Sequence, residues 1–313
     1  MISNDLIRKH PALFHKYIVG SRTNVQDIPY SIIYNIYRPS YFEKTFVCHF
    51  HCYTLNDCID IYGDILQHIV TDYPVIITYC KIDYTKDSCV VLDKIRSYPV
   101  ILLKIQNKGM DIGAKFCATK YILKSFLKVQ YIFYLHSKYD PIIRGQYYTP
   151  FVKDRETFIN CVHLANTHQY HAIFPNLKKL CDRKDQYVNM VYIKDIVDYY
   201  GCKVCNMNFY KGNVYIFSKE MAEMIFTDPI IYTILNTKGD FDFNWIKLYY
   251  KLPHEKIVDI FKIYQTKKLI GNNLDIRYNT QKIKELRDGM IEHAFERIYP
   301  HILKSKQWNF THI

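Results

Sequence analysis

Glycine and tryptophan are scarce in this chain, at 10 and 2 of 313 residues. Few glycines leave little room for glycine-rich phosphate loops. Neither G-x-x-x-x-G-K-[ST] nor G-x-G-x-x-G occurs, and G-x-S-x-G and H-E-x-x-H are also missing. Their absence argues against P-loop kinases, dinucleotide dehydrogenases, serine hydrolases of the elbow type and zinc proteases. No apolar run reaches the ~18 residues that a membrane-crossing helix needs. The first residues, MISNDLIRKHPALFHKY, carry charges where a secretory signal would be apolar. No run of five or six like charges occurs either, so no polyanion-binding tail is visible.

What is present is ordinary for a globular chain. The apolar fraction is 49% and the charged fraction 23%, enough to bury a core without disulfide or metal staples. Lys+Arg exceed Asp+Glu by 42 to 30, a net +12. Such a surplus attracts polyanions or phosphorylated small molecules, but the basic residues are spread out, which disfavours a nucleic-acid stripe. The 30 tyrosines and 18 phenylalanines fit the codon bias of an AT-rich genome, such as that of a parasite or a large DNA virus. Ten cysteines, several inside apolar runs, read as small buried hydrophobes in a reducing compartment. The expected location is therefore the cytoplasm, or a virion if the source is viral.

Apolar patterning predicts an alternation of strands and helices. FVCHFHCY (46–53), PVIITYC (74–80), PVILLKI (99–105) and VQYIFYLHSK (129–138) read as strands. LNDCIDIYGDILQHIV (55–70), KDSCVVLDKIRSY (86–98), MDIGAKFCATKYILKSF (110–126) and a stretch over about 153–168 read as helices. HAIFPNL (171–177) follows, and NVYIFSKEMAEMIF (213–226) reads as a strand and then a helix capped by Ser218. The predicted architecture is α/β, a doubly wound, mostly parallel sheet with helices on both faces. Residues 1–40 are expected to be a helical lead-in, 41–240 the α/β core and 241–313 a helical C-terminal extension, including 240–252 and 282–303.

Ligands of such sheets bind beyond the carboxyl ends of the strands, here just after residues 53, 80, 105 and 138. After 105 come Asn107, Gly109, Asp111 and Gly113. Gly109 permits a turn, and Gly113 permits close approach of helix and sheet. Asp111 suits either an N-cap or a hydrogen bond to a ribose or sugar hydroxyl. After 135 come His136, Ser137 and Lys138, with Arg144 beyond. The two cations can neutralise a departing diphosphate. Mn²⁺ or Mg²⁺ prefers hard oxygen ligands, and no Asp-x-Asp stands here, so no metal ligands are assigned. His49 and His51 share one face of their strand, and Cys48 and Cys52 the other. The four therefore do not form a metal cage, but the histidines can line a donor pocket. The Cys202/Cys205 pair lacks a second pair for zinc, and His163, His168 and His171 read as surface or satisfied histidines. Asp240, Asp242, Glu292, His293 and Glu296 are candidates for a general base, with Asp242, Glu292 and His293 preferred. The bland alternative for Glu292 and Glu296, four residues apart, is a salt-bridged helix face.

FVCHFHCY, NKGMDIGAKF, YIFYLHSK, IFPNL, GNVYIFSKEMAEMI and GMIEHAFERIYP occur in this order and spacing. In this the chain resembles the rhamnan synthesis protein F family over roughly residues 46–300, with Asp-Ile-Gly and Leu-His-Ser-Lys as the most specific pieces. It departs from the family near 212, where KGNVYIFSKE replaces a strand rich in small residues. The resemblance implies a GT-A-like nucleotide-sugar fold. It also implies transfer of a deoxyhexose such as rhamnose from a nucleotide-diphosphate donor to a glycan or glycoprotein acceptor in polysaccharide biosynthesis. The rival readings are a catalytically inactive, transferase-like binding module and, further off, a basic nucleic-acid-binding protein.

Overall fold

The computed structural model describes residues 28–35, 39–58, 65–70, 72–82, 100–138, 140–176, 190–205, 212–235 and 291–313, with Asp93 and Ile95 besides. The strands are β1 (Ser31–Asn35), β2 (Phe46–Thr54), β3 (Val75–Lys81), β4 (Val100–Lys104), β5 (Tyr131–His136), β6 (Ala172–Phe174), β7 (Tyr215–Ser218) and β8 (Phe310–His312). The principal helices are α1 (Met110–Ser125), α2 (Pro141–Val152), α3 (Arg155–His168), α4 (Met190–Tyr199), α5 (Lys219–Phe226), α6 (Pro229–Ile234) and α7 (Ile291–Lys306).

The strands form one sheet in the order β1-β4-β3-β2-β5-β7-β6-β8. Its centre, β4-β3-β2-β5, is parallel throughout. These strands are almost wholly buried, and outside the polar His49, His51, Thr78 and His136 and the last residues of β2, β3 and β4 they are built from aliphatic, aromatic and cysteine side chains, as a sheet covered on both faces requires. β7 reverses direction against both β5 and β6, and β1 reverses against β4. The chain leaves β2 for β3 and β4 on one side, then returns to lay β5 on the other. The junction of β2 and β5 is thus the point where strand order switches direction, the place at which ligands of open α/β sheets generally bind.

Helices cover both faces. One layer, from α1, α4, α5, α6 and α7, packs on Val47, Ile76, Ile132, Tyr134, Tyr215 and Phe217. The other, from α2 and α3 with Leu66 and Ile69, packs on Phe46, Cys48, Phe50, Cys52, Phe133 and Leu135. Aromatic side chains carry much of this burial. Phe133 lies 5.0 Å from Phe151, and Tyr215 stacks on Phe217 at 4.0 Å.

Several sequence expectations need correction. The lead-in contributes an edge strand, β1, rather than a helix over residues 31–35, while residues 1–27 lie outside the described residues. The C-terminal extension is not wholly helical, because β8 pairs in parallel with β6. The predicted helices at 86–98 and 240–252, and the start of the one at 282–303, lie largely or wholly outside the described residues. The stretch 141–152, to which the sequence pattern assigned no element, is helix α2. Asp140 caps it through Ile142 and Ile143 N–H, and Pro141 stands at its start. Ser218 caps α5 as expected, accepting from Met221 N–H at 3.2 Å. No helix among the described residues is long and apolar enough to cross a membrane.

Candidate functional site

Register places a polar row at the carboxyl edge of the sheet. Thr78 of β3 lies beside His51 of β2, and His51 beside His136 of β5. Register partners share a face, so all three point toward the layer that contains α1. His49, two residues back on β2, shares that face, while Cys48 and Cys52 face the opposite core. The alternation that separated these residues in the sequence therefore holds in the fold.

The turn after β4 brings α1 down onto this row. Gly109 adopts φ 71°, and a Cβ there would meet Leu235 at 2.8 Å. A Cβ on Gly113 would stand 1.6 Å from the Lys108 carbonyl oxygen, so only glycine lets the helix sit this close. Both glycines are filled in by the chain itself, and they shape the turn. Asn107, before them, is half-buried. Gly109, not Asp111, is the N-cap residue of α1. Asp111 lies in the first turn, where a carboxylate is favoured by the helix dipole, and pairs with Lys115 one turn on, Nζ to Oδ2 3.1 Å. Lys115 is 1% exposed and Asp111 16%. The Lys115 ammonium also lies 5.2 Å from the Tyr215 ring centre, a cation–π contact.

Burial opposes ionisation of Asp111. The ammonium of Lys115, then His136 and Lys138, outweigh it and hold the carboxyl far below the usual carboxylate range. Burial lowers Lys115, although Asp111 counteracts it. The imidazoles are pushed toward neutrality, chiefly by burial: His51 to about 4, His136 to about 3, and His49 well below its ordinary value. Lys138 adds to the lowering of His136.

Each edge histidine is oriented by a backbone carbonyl. His51 Nδ1 lies 3.2 Å from the Thr78 carbonyl oxygen and 3.0 Å from its hydroxyl. His136 Nε2 lies 2.6 Å from the Gly212 carbonyl oxygen and 3.9 Å from Asp111 Oδ2. A carbonyl can only accept, so these nitrogens donate and the other nitrogen of each neutral ring is a bare acceptor. His49 Nε2 meets the Thr78 hydroxyl at 2.8 Å, and its buried Nδ1 has no hydrogen-bond partner among the described residues. The edge thus sets two imidazole nitrogens and an ionised carboxylate beside the ammonium groups of Lys115 and Lys138. Lys138 follows β5 over the ring of Tyr147, 5.7 Å from its centre. Ser137 continues the β2–β5 ladder through its N–H to the His51 carbonyl at 2.7 Å. Arg144, in the first turn of α2, acts electrostatically on the neighbouring Tyr148.

From the far end of the chain α7 delivers Glu296. Its carboxylate accepts from Gly212 N–H and lies 3.6 Å from Arg297 Nη1. Burial raises its pKa, against the pull of Arg297. Glu296 was one of five candidate bases in the sequence and not among the preferred three. Its neighbours at the site, Gly212 and Lys115, are remote in sequence, so only its acidic type in a helix pattern pointed to it. Glu292 and His293 lie in the first turn of α7, one turn before it, and Asp242 lies outside the described residues. Lys115, which reading by strand ends passed over, is the other addition.

Among the described residues the edge offers few oxygen ligands to Mn²⁺ or Mg²⁺. The carboxylate nearest the edge is already paired with an ammonium, with a second ammonium acting on it, and hard divalent ions need several free oxygen ligands. Elsewhere, Cys205 Sγ lies 3.2 Å from His301 Nδ1, and burial raises this thiol. Cys205 therefore lacks the lowered pKa of a nucleophilic cysteine.

No family model matches the chain, and no curated protein matches it.

Proposed function

We propose that the chain is a glycosyltransferase that takes a sugar from a nucleotide-diphosphate donor. The observation that carries this reading is the edge of β2 and β5, where hydroxyl acceptors and ammonium groups converge at the switch point of a parallel sheet. A nucleotide sugar presents that combination, since its sugar and ribose hydroxyls donate and its diphosphate is anionic. His51, His136 and Asp111 accept from hydroxyls, and Asn107 lies beside the turn that carries Asp111. Lys138, with Arg144, offsets the charge that develops as the bond from the anomeric carbon to the diphosphate breaks. The acceptor oxygen bonds to that carbon, and its proton passes to a base, for which Glu292 and His293 on α7 are proposed. The likeness to the rhamnan synthesis protein F family, carried by Asp-Ile-Gly (111–113) and Leu-His-Ser-Lys (135–138), adds a deoxyhexose such as rhamnose as donor sugar and a glycan or glycoprotein as acceptor. The sheet order, with its parallel centre and reversed β7, is compatible with a GT-A-like core.

The test is a thermal-shift screen against UDP-, GDP-, TDP- and CMP-sugars, with and without Mn²⁺. The expected result is a rise selective for one nucleotide, indifferent to metal and lost in Lys138→Ala. A flat screen on folded protein would refute donor binding and favour a glycan- or partner-binding module. Tight binding to DNA or RNA that falls steeply with salt would favour the nucleic-acid reading instead.

A further inference from the structure

Gly212 is tied to the site through both of its peptide groups. Its N–H donates to the Glu296 carboxylate, and its carbonyl accepts from His136 Nε2. Its backbone is left-handed, at φ 96°, and a Cβ there would fall 2.2 Å from the Tyr147 ring. The next residue, Asn213, is also left-handed at φ 53°. Glycine adopts this conformation freely, whereas Asn213 is held in it by its surroundings. Gly212 meets Tyr147, which lies under Lys138, on one side and Glu296 on the other.

We propose that Glu296 is a positioning residue. By fixing the Gly212 peptide it holds His136 as the Nε2–H tautomer, with the bare Nδ1 as the ligand-accepting atom. Orientation of a functional histidine by a backbone carbonyl is a common device. Here the carbonyl is itself set in place by a carboxylate 84 residues away in sequence. Glu296 is poorly suited to act as the base, because its two oxygens are already committed to Gly212 and Arg297. That Nδ1 meets a donor hydroxyl rests on the nucleotide-sugar reading, but the positioning of His136 does not.

The experiment is NMR of the full chain carrying isotope-labelled histidine, with His136→Ala to assign the signal. In the wild type at neutral pH, His136 should appear as a neutral Nε2–H ring with a protected ring proton. Glu296→Asp keeps the charge but draws the carboxylate back from Gly212. It should mix the tautomers or speed exchange of that proton roughly tenfold or more, the factor a single hydrogen bond carries. Glu296→Gln retains an acceptor oxygen and should restore the wild-type signal. Glu296→Ala should behave as Glu296→Asp does, and the shorter carboxylate is the variant to rely on if the alanine protein does not fold. An unchanged His136 signal in folded Glu296→Asp would overturn the proposal. So would a Glu296→Gln protein that behaves like Glu296→Asp. A responsive His136 in a protein that binds no nucleotide sugar would uphold the positioning role and sink the donor reading alone.

Discussion

Acidification tests the electrostatics of the site most directly. His51 and His136 carry pKa values lowered from 6.5 to about 4 and about 3 in the folded protein. The unfolded chain therefore takes up protons that the folded one refuses. Stability is fully present above the unfolded value and is lost as pH falls toward the folded values. Between about pH 7 and about pH 5 each ring accounts for about 2 kcal/mol, so the pair accounts for about 4 kcal/mol. That is a large share of a typical domain stability of about 5–15 kcal/mol. The assay is urea unfolding at the two pH values, for the wild type and for a protein carrying His51→Gln and His136→Gln. Glutamine can still donate to the Thr78 and Gly212 carbonyls, but it does not titrate. His49, His301 and His312 are also lowered, so the variant should keep some acid sensitivity. Its drop should be smaller than the wild-type drop by about 4 kcal/mol. Equal drops in the two proteins would refute the assignment of these rings as buried and neutral.

Two substitutions probe the turn and the ion pair. Gly113→Ala sets a methyl against the Lys108 carbonyl at 1.6 Å, and backbone must move, so a loss of about 3 kcal/mol or more is expected in the urea midpoint. Asp111→Asn leaves the Lys115 ammonium buried beside the Tyr215 ring. It should cost about 3 kcal/mol, most of it recovered when Lys115→Met is added.

The central strands were legible because 74–80 and 99–105 are short, almost wholly apolar runs and 46–53 and 129–138 are rich in β-branched and aromatic residues, as strands buried on both faces require. α2 was not, because Pro141, Gly145 and Pro150 punctuate it like a loop. The readable signal was Asp140-Pro141, an N-cap followed by the one helical position that favours proline. β1 and β8 are edge strands of five and three residues, and they owe their form to neighbours that a local pattern does not contain. His51, Asp111, His136 and Lys138 could be named as candidates because strand ends can be located from sequence, and the fold brings them to one edge of the sheet. The bond from Glu296 to Gly212 joins two segments whose meeting depends on the whole fold.

Strand β2 puts its chemistry and its adhesion on opposite sides. His49 and His51 lie on the face covered by α1, while Phe46, Cys48, Phe50 and Cys52 lie in the other core. Substitutions along this strand should therefore divide by parity. Changes at His49 and His51 alter the polar row beside Thr78 while the other core stays closed, and changes at even positions loosen that core and leave the row in place. A slip of one residue would exchange the two roles entirely, placing thiols and a phenyl ring beneath α1 and imidazoles in the apolar core on the other face. The burial that fixes the strand's register therefore also determines which residues join the polar row.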